Sequence, residues 1–118
     1  MSDVLIVDDE PSFRSLLRIA LERAGHDVRE AEDGCKGLAL YSQKHADLVI
    51  TDLSMPQMTG LEMMVAMQRA FGAVKTFVVS GRGEAQLQQA KSLGALAVWP
   101  KPFDFDEFMG AVHQEVGI

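Results

Sequence analysis

The chain has 118 residues, 47% of them hydrophobic, which suits one domain over residues 1–118 around one core and leaves no room for a second. Its formal net charge of −6 disfavours nucleic acid backbones and anionic lipid and favours cations and basic partners. No stretch approaches the ~20 apolar residues of a membrane span, Met1-Ser2-Asp3 lacks the basic start and apolar core of a signal peptide, and Cys35 alone excludes an internal disulfide or a cysteine-based metal cluster. The expected location is the cytoplasm.

In chain order, Val4-Leu5-Ile6-Val7 is a continuous apolar run stopped by Asp8-Asp9-Glu10, the pattern of a strand buried on both faces of a sheet. Pro11 opens a helix whose stripe is Phe13, Leu16, Leu17, Ala20, Leu21 and Ala24, and Gly25 is placed to end it. Asp27 to Ala31 is a weak strand with Val28 as its only strongly apolar member, which suits a sheet edge. Asp33 caps a second helix running to about Lys44, with Leu38, Ala39 and Tyr41 facing inward. Leu48-Val49-Ile50 is a third buried strand, and it delivers Asp52 to its carboxyl end ahead of a loop marked by Pro56 and Gly60.

Thr59 and Glu62 have the spacing of a capping box, and Leu61, Met64, Val65 and Phe71 form the stripe of the helix they start. Thr76-Phe77-Val78-Val79 is the fourth strand, ending in Ser80-Gly81-Arg82-Gly83. The helix from Glu84 to Leu93 is thinly apolar, with only Leu87, Ala90 and Leu93 on its inner face, and is expected to dock less firmly than the others. Leu96 to Trp99 makes the fifth strand. Asp104 and Glu107 then start a last helix with Phe105, Phe108, Met109, Val112 and Val116 inward. His26, His45 and His113 lie in different elements without ligand spacing and are assigned structural or surface roles. Five methionines between Met55 and Met67 are assigned to loop and helix core filling.

Strands alternating with helices over the whole length imply right-handed crossovers and a parallel sheet covered on both faces. In such a sheet all strand carboxyl ends share one edge, so Asp8-Asp9, Asp52, Ser80-Gly81 and Lys101 converge on one crevice. Three adjacent carboxylates repel, each close pair by about 4 kcal/mol at an effective dielectric of roughly 20. A hard divalent cation offsets this, and Mg2+ fits best because it accepts a few carboxylates, a carbonyl and waters. With Lys101 as a second positive charge, and a serine hydroxyl and backbone N–H groups nearby, the crevice becomes a receptacle for a phosphoryl group that a carboxylate can attack. Asp8 and Asp9 also suit the positive end of the first helix, but two acids beside Asp52 exceed what capping requires.

At these residues the chain resembles the receiver domain of bacterial two-component response regulators, a flavodoxin-like (βα)5 three-layer sandwich with a parallel sheet in the order 2-1-3-4-5. The matching pieces are Leu5 to Pro11, Asp52 to Gly60, Val79-Ser80-Gly81, Gly94-Ala95 and Lys101-Pro102-Phe103. The resemblance implies that Asp52 is the phosphoacceptor, that Asp9 and Asp52 bind Mg2+ directly and Asp8 through water, and that the Ser54 backbone carbonyl completes the protein ligands. It implies that Ser80 hydrogen-bonds the phosphoryl group, that Lys101 pairs with it, that the Lys101-Pro102 bond is cis, and that Ser54 and Arg82 tune phosphate lifetime. The implied donor is a histidine kinase or a histidine phosphotransfer protein, and the implied output surface is the face of the fourth helix, fifth strand and fifth helix. Neither nucleic acid nor membrane is an expected direct partner.

One departure concerns signalling. Three residues before the lysine the family usually has Tyr or Phe, and this chain has Val98, with Trp99 on the opposite face of the strand. A ring swap coupled to Ser80 is therefore not expected, and readout falls to the loop after Ser80 and the helix that follows. The acidic pair common before this strand in the winged-helix subfamily is also missing from Gly94 to Val98, so that subfamily's dimer is not assumed.

Three other classes fit less well. A haloacid-dehalogenase-like phosphatase wants a second Asp two residues after its nucleophile and a cap insertion. A flavin carrier would have its phosphate repelled by Asp8-Asp9-Glu10. A pseudo-receiver acting only as an interaction module would not need the full acceptor set.

Overall fold

The computed structural model describes residues 2–81 and 83–117. Its elements are β1 (Asp3–Val7), α1 (Pro11–Arg23), β2 (Asp27–Ala31), α2 (Gly34–Gln43), β3 (Leu48–Asp52), α3 (Gly60–Phe71), β4 (Thr76–Ser80), α4 (Glu84–Ser92), β5 (Ala97–Pro100) and α5 (Phe105–Val116). The strands form one parallel sheet in the order β2-β1-β3-β4-β5, as expected, with the weak strand β2 at an edge.

Period-two alternation divides the core between the two sheet faces. Val4, Ile6, Leu48, Ile50, Phe77 and Val79 face Leu17 and Leu21 of α1 and Phe108 and Val112 of α5. Their neighbours Leu5, Val7 and Val49 face Tyr41, Met63 and Met67 of α2 and α3, and Val78 meets Met64, Leu87 and Ala90 of α3 and α4. Both faces of each central strand are thus dry, which is why these strands read as unbroken apolar runs.

The helix ends follow the expected local chemistry. Asp33 accepts from the Lys36 N–H, Asp104 accepts from the Glu107 N–H, and Thr59 and Glu62 form a reciprocal capping box. Gly25, at φ +94°, ends α1 in the left-handed region, and the N–H groups of Gly25 and His26 donate to the carbonyls of Glu22 and Leu21.

Several side chains depart from their expected places. Leu16 is 52% exposed and lies outside the α1 stripe, because Leu17 and Leu21 take the centre of the interface and Leu16 falls about 100° from Leu17 around the helix. In α2 Ala39 is exposed and Leu40 turns partly inward instead. The deepest residues of α3 are Met63, Met64 and Met67, while Leu61, Val65 and Phe71 are only partly covered. Core filling by methionine is borne out by these three together with Met55. β5 starts one residue later than expected, leaving Leu96 exposed while its N–H still donates to the Thr76 carbonyl. α4 buries only Leu87 and Ala90, matching its thin apolar stripe.

The histidines hold a contact that their sequence positions conceal. His26 Nε2 and His113 Nδ1 lie 3.2 Å apart with the rings stacked, joining the start of β2 to the end of α5. Burial, and then the neighbouring His113, push the His26 pKa below its ordinary 6.5. A depressed histidine contributes stability that is present above 6.5 and lost as pH falls through the folded value. The thermal midpoint is therefore expected to drop between about pH 7 and pH 5, and His26→Gln is expected to flatten that drop in a melting series. A variant with an unchanged slope would contradict the assignment.

Candidate functional site

The register of the sheet assembles the site. Val7 of β1 pairs with Thr51 of β3, so the next residues, Asp8 and Asp52, come side by side at the carboxyl edge. Ser80 ends β4 opposite Pro100 of β5, and the Lys101 N–H donates to the Ser80 carbonyl at 2.8 Å, which sets where the lysine leaves the sheet. The Lys101-Pro102 peptide bond is cis, as expected.

The three carboxylates meet. Asp8, Asp9 and Asp52 each offer an oxygen, and these oxygens all lie within 4.8 Å of one another. Asp9 is exposed, whereas Asp8 is only 1% exposed and Asp52 lies between these extremes. Lys101 Nζ stands 3.4 Å from Asp8 Oδ2 and 3.5 Å from Asp52 Oδ2, the only cation within ion-pair distance of either among the described residues. The other oxygen of each acid is held by backbone: Asp8 Oδ1 accepts from the Glu10 N–H at 2.9 Å, and Asp52 Oδ1 from the N–H groups of Leu53 at 2.7 Å and Ser54 at 3.4 Å. Each carboxylate is thus oriented by its own chain, with its second oxygen turned toward the shared charge.

Burial pushes the Asp8 pKa above the ordinary 3.8. The Glu10 N–H and the Lys101 ammonium oppose this shift, and the charge on Asp52 adds to it. The donor set fits a hard cation. Three carboxylate oxygens within 4.8 Å of one another are a set that a hard cation such as Mg2+ can engage, directly or through water.

Two supports of the site were not apparent as such in the sequence. Arg14 Nη1 donates to the Asp8 carbonyl at 2.7 Å while its Nε donates to Glu30 on β2, which ties the end of β1 to α1 and β2. Gly60 starts α3 against β3, where a Cβ would lie 2.1 Å from the Asp52 carbonyl oxygen, so only glycine permits this approach. Phe13, assigned to the α1 core stripe, packs against that core as expected and also lies under the Lys101 ammonium at 4.1 Å. Its signal in the sequence was its place in the first turn after the acidic pair. Of the expected site residues, Asp8, Asp9, Asp52 and Lys101 are brought together; Ser80 is fully buried at the adjoining strand end, and Ser54 follows Asp52 by two residues. Arg82 lies outside the described residues.

Residues 4–113 match the sequence family described as the response regulator receiver domain. The chain is 34% identical over 112 residues to sporulation initiation phosphotransferase F of Bacillus subtilis, covering 94% of this chain and 90% of that protein. It is 35% identical over 116 residues to the DNA-binding dual master transcriptional regulator RpaA of Synechocystis, covering 96% of this chain but only 48% of the relative. Among solved structures, the response regulator protein TrrA of Thermotoga maritima in complex with Mg2+-BeF superposes with a TM-score of 0.89 at 30% identity, over 98% of this chain and all of that one.

A carboxylate whose folded pKa is raised costs stability once pH rises through that value and costs none below 3.8. In Mg2+-free buffer, Asp8→Asn is therefore expected to stabilise the fold at pH 7, with the gain vanishing near pH 3. Chemical denaturation at the two pH values checks this, and destabilisation at pH 7 would contradict it.

Proposed function

The chain belongs to the response regulator receiver domain family of two-component signalling, and on that premise we propose that Asp52 is its phosphoacceptor. The observation that carries this reading is the placement of one ammonium, Lys101, between a buried Asp8 and the Asp52 carboxylate at the sheet edge. An Asp52 oxygen attacks the phosphorus of a phosphohistidine on a histidine kinase or histidine phosphotransfer protein. The O–P bond forms, the N–P bond breaks, and its electron pair stays on the imidazole nitrogen, which takes up a proton.

Lys101 pairs with the phosphoryl oxygens, and Ser80 supplies a hydrogen bond from the end of β4. Asp9, Asp52 and the Ser54 carbonyl would hold Mg2+, with Asp8 assisting through water. The ion supplies charge stabilisation to the phosphoryl oxygens when bound. That the Thermotoga relative was solved with Mg2+-BeF supports the same ion here. The product is an acyl phosphate that acts as a switch, read at the face built from α4, β5 and α5. Val98 packs on the α4 side of β5 while Trp99 packs among Phe77, Phe103 and Phe108 on the other, so this readout does not use an inward-turning ring at position 98.

Incubation with phosphoramidate and Mg2+ is expected to add one phosphoryl group to the wild type, seen by intact mass, and none to Asp52→Asn. Labelling of the variant at an unchanged rate would overturn the reading. Trp99 is the sole tryptophan, and among the described residues its indole N–H is buried without a hydrogen-bond partner. Its ring contacts Phe103, which contacts Phe13 beneath Lys101, so its emission is expected to change on Mg2+ or phosphodonor addition. A flat titration in folded protein would exclude this coupling.

A further inference from the structure

Lys101 is held less by its ion pairs than their number suggests. Its two carboxylate distances, 3.4 and 3.5 Å, both exceed the about 2.7–2.9 Å of a strong charge-assisted hydrogen bond. A flexible four-carbon side chain held only by such contacts would sample many rotamers. What completes its cradle is the face of Phe13, 4.1 Å from Nζ to the ring centroid. Phe13 stands in the first turn of α1, after Pro11, and is only partly buried. Its ring meets Phe103 edge-on at 6.2 Å and 85°, and Phe103 is fixed in turn by Phe108 at 4.9 Å and Trp99 at 6.0 Å. The ring under the ammonium is therefore anchored to the α5 side of the core.

An aromatic face differs from a third carboxylate in one respect that matters for phosphoryl transfer. It attracts the ammonium without neutralising its charge and offers no oxygen to compete with an incoming phosphoryl group. We propose that Phe13 is a positioning residue for phosphoryl transfer to Asp52, holding the Lys101 ammonium at the acceptor through a cation–π contact. This rests on Asp52 being the acceptor. With the ring present, the lysine is already oriented when the donor arrives. Without it, the ammonium is drawn into solvent and must be ordered during the reaction.

The test compares wild type with Phe13→Leu and Phe13→Met, which lack the π face, and with Phe13→Tyr, which keeps it. Two readouts are taken on samples with native amide spectra: the 13C-resolved shift of the Lys101 ε-methylene protons, and the initial rate of modification by phosphoramidate with Mg2+. A small donor is used so that partner docking plays no part. The expected result is an upfield ring-current shift of the ε-methylene in wild type and Phe13→Tyr that disappears in Phe13→Leu and Phe13→Met, with labelling slowed roughly three- to tenfold in those two alone. Labelling at the wild-type rate in Phe13→Leu or Phe13→Met, or Phe13→Tyr as slow as they are, would overturn the proposal. So would a wild-type ε-methylene without the ring-current shift. A wild type that shows the shift but takes up no phosphoryl group would instead overturn Asp52 as acceptor, while leaving the cation–π contact established.

Discussion

Parallel register forces like charges together at the carboxyl edge of this sheet. Because Val7 pairs with Thr51, Asp8 and Asp52 cannot avoid each other, and Asp9 follows within reach. Nothing in the strands themselves offsets that repulsion, so the site requires positive charge from elsewhere, and the end of β5 supplies it as Lys101. The backbone takes one oxygen of Asp8 and one of Asp52, leaving the others for the cation. Among the described residues three carboxylates share one ammonium there, with Asp8 almost fully buried, a donor set that suits a hard cation.

The supports of the site come from both faces of the sheet. On the α1 and α5 side, Arg14 grips the Asp8 carbonyl and Phe13 lies under Lys101, with aromatic contacts continuing through Phe103 to Trp99 and Phe108. On the other side, Gly60 lets α3 close on the Asp52 carbonyl, and the loop before it carries Gln57 at φ +68°, an uncommon conformation for a residue other than glycine. α4 is lightly docked, holding the sheet by Leu87 and Ala90 while every other residue from Glu84 to Ser92 is exposed. The site is thus backed by aromatic packing on one face and flanked by a lightly held helix on the other.

The fold was legible because its strands are buried on both faces, which turns them into apolar runs ended by charge, and because Asp33, Thr59 and Asp104 cap their helices by local rules. The convergence of Asp8, Asp9, Asp52 and Lys101 was legible from topology alone, since parallel strands share one carboxyl edge. What escaped were features decided by neighbours distant in sequence. Helical periodicity placed Phe13 and Leu16 on one stripe; Phe13 packs there, but its ring also meets a lysine 88 positions along the chain, and Leu16 lies off the centre of the contact. The His26–His113 contact and the Arg14 grip on Asp8 depend on tertiary placement that no local spacing encodes. In α3 the long, unbranched methionines reached deeper than the leucine and valine beside them, an outcome of packing rather than of hydrophobic rank.

Among the carboxylates at the crowded edge, Asp52 is the one we propose as the nucleophile. Borohydride reduction of the phosphodonor-treated protein converts an aspartyl phosphate to homoserine, and peptide mass spectrometry then locates it. Homoserine is expected at position 52 and at no other acid. Homoserine at position 8 or 9, or none in protein that has gained a phosphoryl group, would contradict it.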